Sequence, residues 1–154
     1  MTSILARTAA AAGAAIVGAA IFTSPAVADS SRPLAPNGEA ALPQVTFGSR
    51  ADQLGDGTVW AKDRHGNVVA EAHWQADPGG NMYPKGDTLY VSDFMADGLG
   101  SRGEASVGIK ISTSGSGDRV QKTKDVAEGR KLYINLCMTN SSGSLCSPGL
   151  TVRA

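Results

Sequence analysis

The sequence predicts an all-β protein, an antiparallel β-sandwich of about eight short strands. Three observations carry the prediction. Several segments alternate apolar and polar residues with a period of two, as half-buried strands do. Gly- and Pro-rich clusters separate those segments at turn-like intervals. Beyond the N-terminal leader, no segment shows helical periodicity.

The leader is set apart first. Arg7 precedes an unbroken small and apolar run from Ala9 to Phe22, followed by Ser24-Pro25-Ala26-Val27-Ala28. A basic start, a short apolar core and an Ala-x-Ala site read as a secretory signal peptide over 1–28, and the run is too short for a membrane anchor. Residues 29–44 hold three prolines and few bulky side chains, which predicts a disordered leader before a β-sandwich domain over 45–154. Cleavage removes one basic residue from 14 basic and 14 acidic, leaving a nearly neutral chain. That balance does not suit a nucleic-acid binder, and no second apolar segment or basic amphipathic stretch suggests a membrane span in the mature chain.

Within the domain, Thr58–Asp63 and Val68–Gln75 form a first hairpin across Arg64-His65-Gly66-Asn67, with Val68, Ala70, Ala72 and Trp74 on one face. Residues 76–87 form a loop by their Gly and Pro content. Residues 86–111 read as a central hairpin: Leu89 and Val91 alternate inward, Asp97-Gly98 and Gly100 turn the chain, and Ala105, Val107, Ile109 and Ile111 alternate on the way out. Residues 112–118 make a flexible tip. Arg119–Val126, with Lys122 and Lys124, reads as an edge strand protected by charge. A turn at Ala127–Gly129 leads into Lys131–Met138, whose apolar face is Leu132, Ile134, Leu136 and Met138, and Leu150–Val152 closes the domain.

Cys137 and Cys146 are the only cysteines, and export makes a disulfide between neighbouring strands the expectation. Because Cys137 alternates with Leu136, the bridge belongs on the outer side of its sheet. Two thiols without a nearby His cannot fill a tetrahedral zinc site. The segment VAEGRKLYINLC, 126–137, resembles the corner leading into a late strand of immunoglobulin-like domains, which implies an immunoglobulin-like or related sandwich. The leader, the SDFMADGLGSRGEA stretch, the turn before Tyr133 and the C-terminal Cys pair together resemble small secreted β-proteins of actinobacteria. That resemblance implies location and fold without an activity.

Gly98-Leu99-Gly100-Ser101-Arg102-Gly103 spells G-x-G-x-x-G, but the residues that follow alternate as a strand, whereas a dinucleotide site needs a helix there. Asp93, Asp97, Gly98 and Glu104 occupy positions 1, 5, 6 and 12 of a calcium loop, and Asp52, Asp56, Gly57 and Asp63 repeat the spacing. Position 3 is Met95 or Leu54, so each loop lacks a ligand; Asp93, Asp97 and Glu104 remain weak calcium candidates beside a simpler reading as Asp-Gly turns. His65, in a turn, and His73, on a polar strand face, are expected to be exposed imidazoles. Trp60, Trp74, Tyr90 and Phe94 are expected to pack inside or across strands, with an aromatic platform for sugars or a protein as the alternative. No nucleophile motif, catalytic residue or cofactor site is assigned. The expectation is a secreted, non-enzymatic protein binding an extracellular or cell-surface partner. The alternative is a small extracellular hydrolase or antibacterial effector assembled only in three dimensions.

Overall fold

The computed structural model describes residues 44–114 and 117–154, so the signal-peptide reading of 1–28 and nearly all of the Pro-rich leader lie outside the described residues. Among the described residues ten strands form: β1 (Thr46–Ala51), β2 (Gly57–Lys62), β3 (Val68–Gln75), β4 (Thr88–Asp93), β5 (Gly100–Ala105), β6 (Ile109–Ser112), β7 (Arg119–Thr123), β8 (Lys131–Asn140), β9 (Gly143–Cys146) and β10 (Leu150–Arg153). They build two antiparallel sheets, one ordered β1-β2-β3-β4-β7, the other β10-β8-β5-β6 with β9 also on β8. The fold is a β-sandwich. No helix among the described residues is long and apolar enough to cross a membrane.

Alternation builds the core. Val59 and Ala61 of β2, Ala70, Ala72 and Trp74 of β3, and Leu89 and Val91 of β4 face inward from the first sheet. Leu132, Ile134, Leu136 and Met138 of β8, Ile109 of β6 and Val152 of β10 meet them from the second. Each fully buried Leu or Ile stabilises the fold by roughly 1.5–3 kcal/mol relative to an exposed one. Trp74, fully buried, donates its indole N–H to the Arg153 carbonyl at 2.7 Å, satisfying its one polar atom while tying the two sheets together.

The first hairpin forms, β2 on β3, but a register shift at Ala61/Lys62 sets Val68, 40% exposed, opposite Lys62 and buries Val69 instead of it. The central hairpin does not form. β4 pairs with β3 and β7, while β5 pairs with β6 and β8, so the chain crosses between sheets at residues 94–99. Leu99, 1% exposed, plugs the crossover. The inward stripes of β4 and β5 face each other across the sandwich, where a Cβ on Gly103 would lie 2.3 Å from Val91 Cγ2. That opposition buries both stripes. The predicted long strand through Ala105, Val107 and Ile109 is also broken, by a turn at Ser106–Gly108 whose amide Gly108 N–H returns to the Ala105 carbonyl at 3.0 Å. Gly108 takes φ 86°, the left-handed position that closes a three-residue hairpin loop. Val107 stays buried at its tip, which is why the alternation hid the turn.

β7 is the edge of the first sheet, as its lysines suggest. β1 escapes the sequence reading, and β9 is signalled only by the cysteine spacing; both are largely exposed and carry little apolar alternation. Cys137 and Cys146 stand directly opposite each other on β8 and β9 and form the disulfide, with Cα atoms 3.9 Å apart. Cys137 lies on the face of β8 opposite Leu136 and Met138. Tyr133, at the corner that resembles immunoglobulin-like domains, is 59% exposed rather than tucked against the turn.

Candidate functional site

The outward face of the first sheet collects the polar and aromatic side chains that alternation excludes from the core. Cross-strand register sets two adjacent rows on that face. Gly48, Trp60, Glu71, Ser92 and Arg119 form one; Arg50, Thr58, His73, Tyr90 and Gln121 form the other. Trp60 is half-buried and lies down on the sheet, because a Cβ on Gly48 would come within 2.6–2.8 Å of its Nε1, Cε2 and Cζ2 atoms together. Only a glycine opposite lets the indole lie there.

The loop between β3 and β4 folds back over this face, held by a bridge between Gly79 and Tyr83. Tyr83 thereby stacks on His73 at 4.0 Å between centroids and meets Tyr90 edge-on at 5.0 Å. The Arg119 guanidinium sits 4.7 Å from the Tyr83 ring centre and 4.8 Å from that of Tyr90, and donates to the Met82 carbonyl at 3.2 Å. Each cation–π contact contributes about 0.5–1 kcal/mol in a partly exposed setting. The Tyr83 hydroxyl donates to Glu71 Oε1 at 3.3 Å. Burial, together with the Glu71 carboxylate, pushes the Tyr83 phenol above its ordinary range against the pull of Arg119. It therefore stays a donor.

His73 is not the exposed imidazole that its polar face suggested; it is 9% exposed beneath Tyr83. Its hydrogen bonds define its tautomer. The Asp56 carboxylate only accepts, so Gln75 turns its amide N–H to Asp56 Oδ2 at 2.7 Å and its oxygen to His73 Nε2 at 3.1 Å. Nε2 of the neutral ring must then carry the proton, and Nδ1 accepts from the Thr58 hydroxyl at 2.8 Å. Asp56 is itself oriented by the Ala76 N–H at 2.8 Å. A shallow cleft of about 160 Å³ opens beside this chain, lined by Arg50, Asp52, Asp56, Gly57, Thr58 and His73. His65 is exposed in its turn, with Nε2 taken by Arg64 at 3.0 Å. Among the described residues neither imidazole is hydrogen-bonded to a carboxylate.

Asp93, Asp97 and Glu104, the calcium candidates, do not converge as a set of three. Asp93 points into the fold, where Oδ1 accepts from Met95 N–H at 3.0 Å and Oδ2 from the Ser101 and Thr113 hydroxyls at 3.3 Å each. Asp97 Oδ1 caps Leu99 N–H at 3.0 Å. Glu104 lies on the other face of β5 from Ser101, paired to Arg102 at 2.9 Å and Lys110 at 3.1 Å. The Lys110 and Arg102 cations hold its carboxyl below the usual range despite partial burial. In the second loop, Asp52 caps Leu54 and Asp56, and Asp63 caps His65 and Asn67. Both are local turns of the kind Asp favours. Among the described residues no three His, Cys, Asp or Glu side chains converge as a metal site. The G-x-G-x-x-G run covers the end of the crossover and most of β5.

Asp93 yields a prediction about pH. Burial, reinforced by the nearby Asp97, raises its pKa against the pull of the Met95, Ser101 and Thr113 hydrogen bonds. The folded state therefore holds the proton more tightly than the unfolded one. The stability this confers is full below the unfolded value of about 3.9 and is lost as pH climbs through the raised folded pKa. Asp93→Asn keeps an oxygen for Met95 and presents N–H groups to two hydroxyls that have other acceptors, Met138 Sδ and the Ser101 carbonyl. The variant is expected to melt above the parent at pH 7 and to lose that advantage near pH 3.5, as followed by thermal unfolding across that range. Equal melting at both pH values would refute the assignment.

Of the aromatics singled out from sequence, Trp74 is core, Tyr90 is buried beneath Tyr83, Trp60 lies on the face and Phe94 is 52% exposed. Nothing in the sequence marks Glu71, Tyr83 and Arg119 as site residues. Only register joins Glu71 and Arg119, and Tyr83 comes from a loop without periodicity. No protein-family model matches the chain, and comparison with curated proteins finds no relative.

Proposed function

We propose that the chain is an exported, non-enzymatic β-sandwich that binds a partner outside the cell through the outward face of its first sheet. The observation that supports this most is the set formed by Trp60, Glu71, Tyr83 and Arg119. It is an indole laid on the sheet beside a carboxylate whose position is held by a phenol, itself clamped by a guanidinium. Ordered amphipathic aromatics of this kind offer contact area at low entropic cost. The Cys137–Cys146 bond suits an oxidising compartment. The test is retention of cell-envelope material on immobilised protein spanning 29–154. Retention is expected to fall at least tenfold with Trp60→Ala, and equal retention by parent and variant would refute the use of this face.

The Thr58–His73–Gln75–Asp56 chain favours a second reading, a hydrolase, because it places a hydroxyl against one imidazole nitrogen while the other nitrogen is oriented. Against it, Tyr83 covers the His73 ring. A fluorophosphonate probe is expected to leave the protein unlabelled. Labelling that disappears in Thr58→Val would establish the hydrolase instead.

A further inference from the structure

We propose that the ligand of this face is a saccharide chain, with one pyranose ring stacked on Trp60 and its hydroxyls held by Glu71. The inference rests on the binding reading above and specifies its chemistry. Trp60 spends one side of its indole on Gly48, and among the described residues no ring or cation stacks on the other. The half-buried ring thus keeps part of its surface towards solvent. Trp60 Nε1 donates to no protein group among the described residues, and Glu71, directly opposite Trp60 on β3, engages only Oε1, through Tyr83. One side of the pair is apolar and the rim beside it carries a free donor and a free carboxylate oxygen.

A pyranose ring has the matching anatomy. Its axial C–H groups make an apolar face that seats on an aromatic ring, while its hydroxyls radiate around the rim and both donate and accept. Glu71 Oε2 accepts from a hydroxyl as a charge-assisted hydrogen bond, the stronger kind, and Trp60 Nε1 donates to another. Preorganisation supports the assignment. The Tyr83 hydroxyl holds the Glu71 carboxylate, and Arg119 holds Tyr83, so little side-chain freedom is lost on binding. The fully buried core of a protein–protein interface is instead apolar and depleted of charge. On this face the residues flanking Trp60 along β2 are Thr58 and Lys62, with Gly48 and Glu71 across strands.

Tryptophan fluorescence tests the proposal, because Trp74 is fully buried and Trp60 is left to report. The protein is titrated with β-1,4-linked hexasaccharides of glucose, of N-acetylglucosamine and of xylose. At least one is expected to give a saturable change below about 1 mM, a modest affinity of about 4 kcal/mol. Trp60→Ala is expected to abolish binding, read by calorimetry because the reporter is gone. Glu71→Gln, which still accepts from Tyr83, is expected to weaken it about tenfold. Unchanged thermal unfolding of Glu71→Gln guards against a folding artefact. No saturable change with any of the three sugars, or binding that survives Trp60→Ala, overturns the proposal. Envelope material treated with anhydrous trifluoromethanesulfonic acid, which cleaves glycosidic bonds and leaves peptide bonds intact, separates the two levels of the argument. Trp60-dependent retention that survives this treatment would keep the binding face and reject the saccharide, whereas retention indifferent to Trp60 would reject both.

Discussion

Gly103→Ala is expected to destabilise the protein by about 2–3 kcal/mol, the upper part of the range for overpacking a close-packed core. Gly103 sits on β5 opposite Leu136 and faces across the sandwich to β4. An added methyl would lie 2.3 Å from Val91 Cγ2, 3.3 Å from Leu89 Cδ2 and 3.6 Å from the Ala72 Cβ. Val91 and Leu89 are fully buried, and the valine is branched at Cβ, so the nearest group cannot swing away without leaving its rotamer. The sheets must separate locally or the valine must strain. Urea unfolding should show a lower midpoint with an unchanged slope, the sign of lost stability in an intact two-state fold. Adding Val91→Ala should recover part of the loss, since the two changes act on one contact and so cannot be additive. A midpoint within error of the parent would mean that β4 and β5 do not oppose each other there.

Replacing both cysteines, Cys137→Ala with Cys146→Ala, is expected to cost about 2.5 kcal/mol, the loop-closure entropy for so short a ring. For a domain of this size that lowers the melting temperature by roughly 6–12 °C. The bond pins β9 to the end of β8, where the hairpin is exposed and residues 139–144 carry no large apolar side chain to hold it. Reductant should lower the melting temperature of the parent by a similar amount and leave the double variant unmoved. A parent indifferent to reductant would show that the hairpin needs no staple.

The corrections share one cause. Alternation sets His73 on the polar face of β3, opposite Trp74, but its burial depends on Tyr83, delivered by a loop whose Gly and Pro content says only that the chain turns. Asp93 and Glu104 keep calcium-loop spacing in sequence, yet a strand's alternation sends Ser101, the partner of Asp93, and Glu104 to opposite faces of β5. Glu71 and Arg119 are separated by nearly fifty residues, and only β4 between them sets them in one row.

What the residues determined by themselves is what short range decides. The period of Leu132, Ile134, Leu136 and Met138 selects a strand and its buried face, Gly66 and Gly129 mark turns through their positive φ, and two cysteines nine positions apart suit facing arms of one hairpin. Partner choice among strands was left to the tertiary structure. The inward stripes of β4 and β5 satisfy alternation equally well as neighbours in one sheet or as opponents across two. The sandwich selects the second because it buries both stripes at once, and the bare Cα of Gly103 lets Val91 close the gap. The outward face follows from that choice, since the register that places Trp60 beside Glu71 and sets Arg119 in the same row is a property of paired strands and not of any one segment.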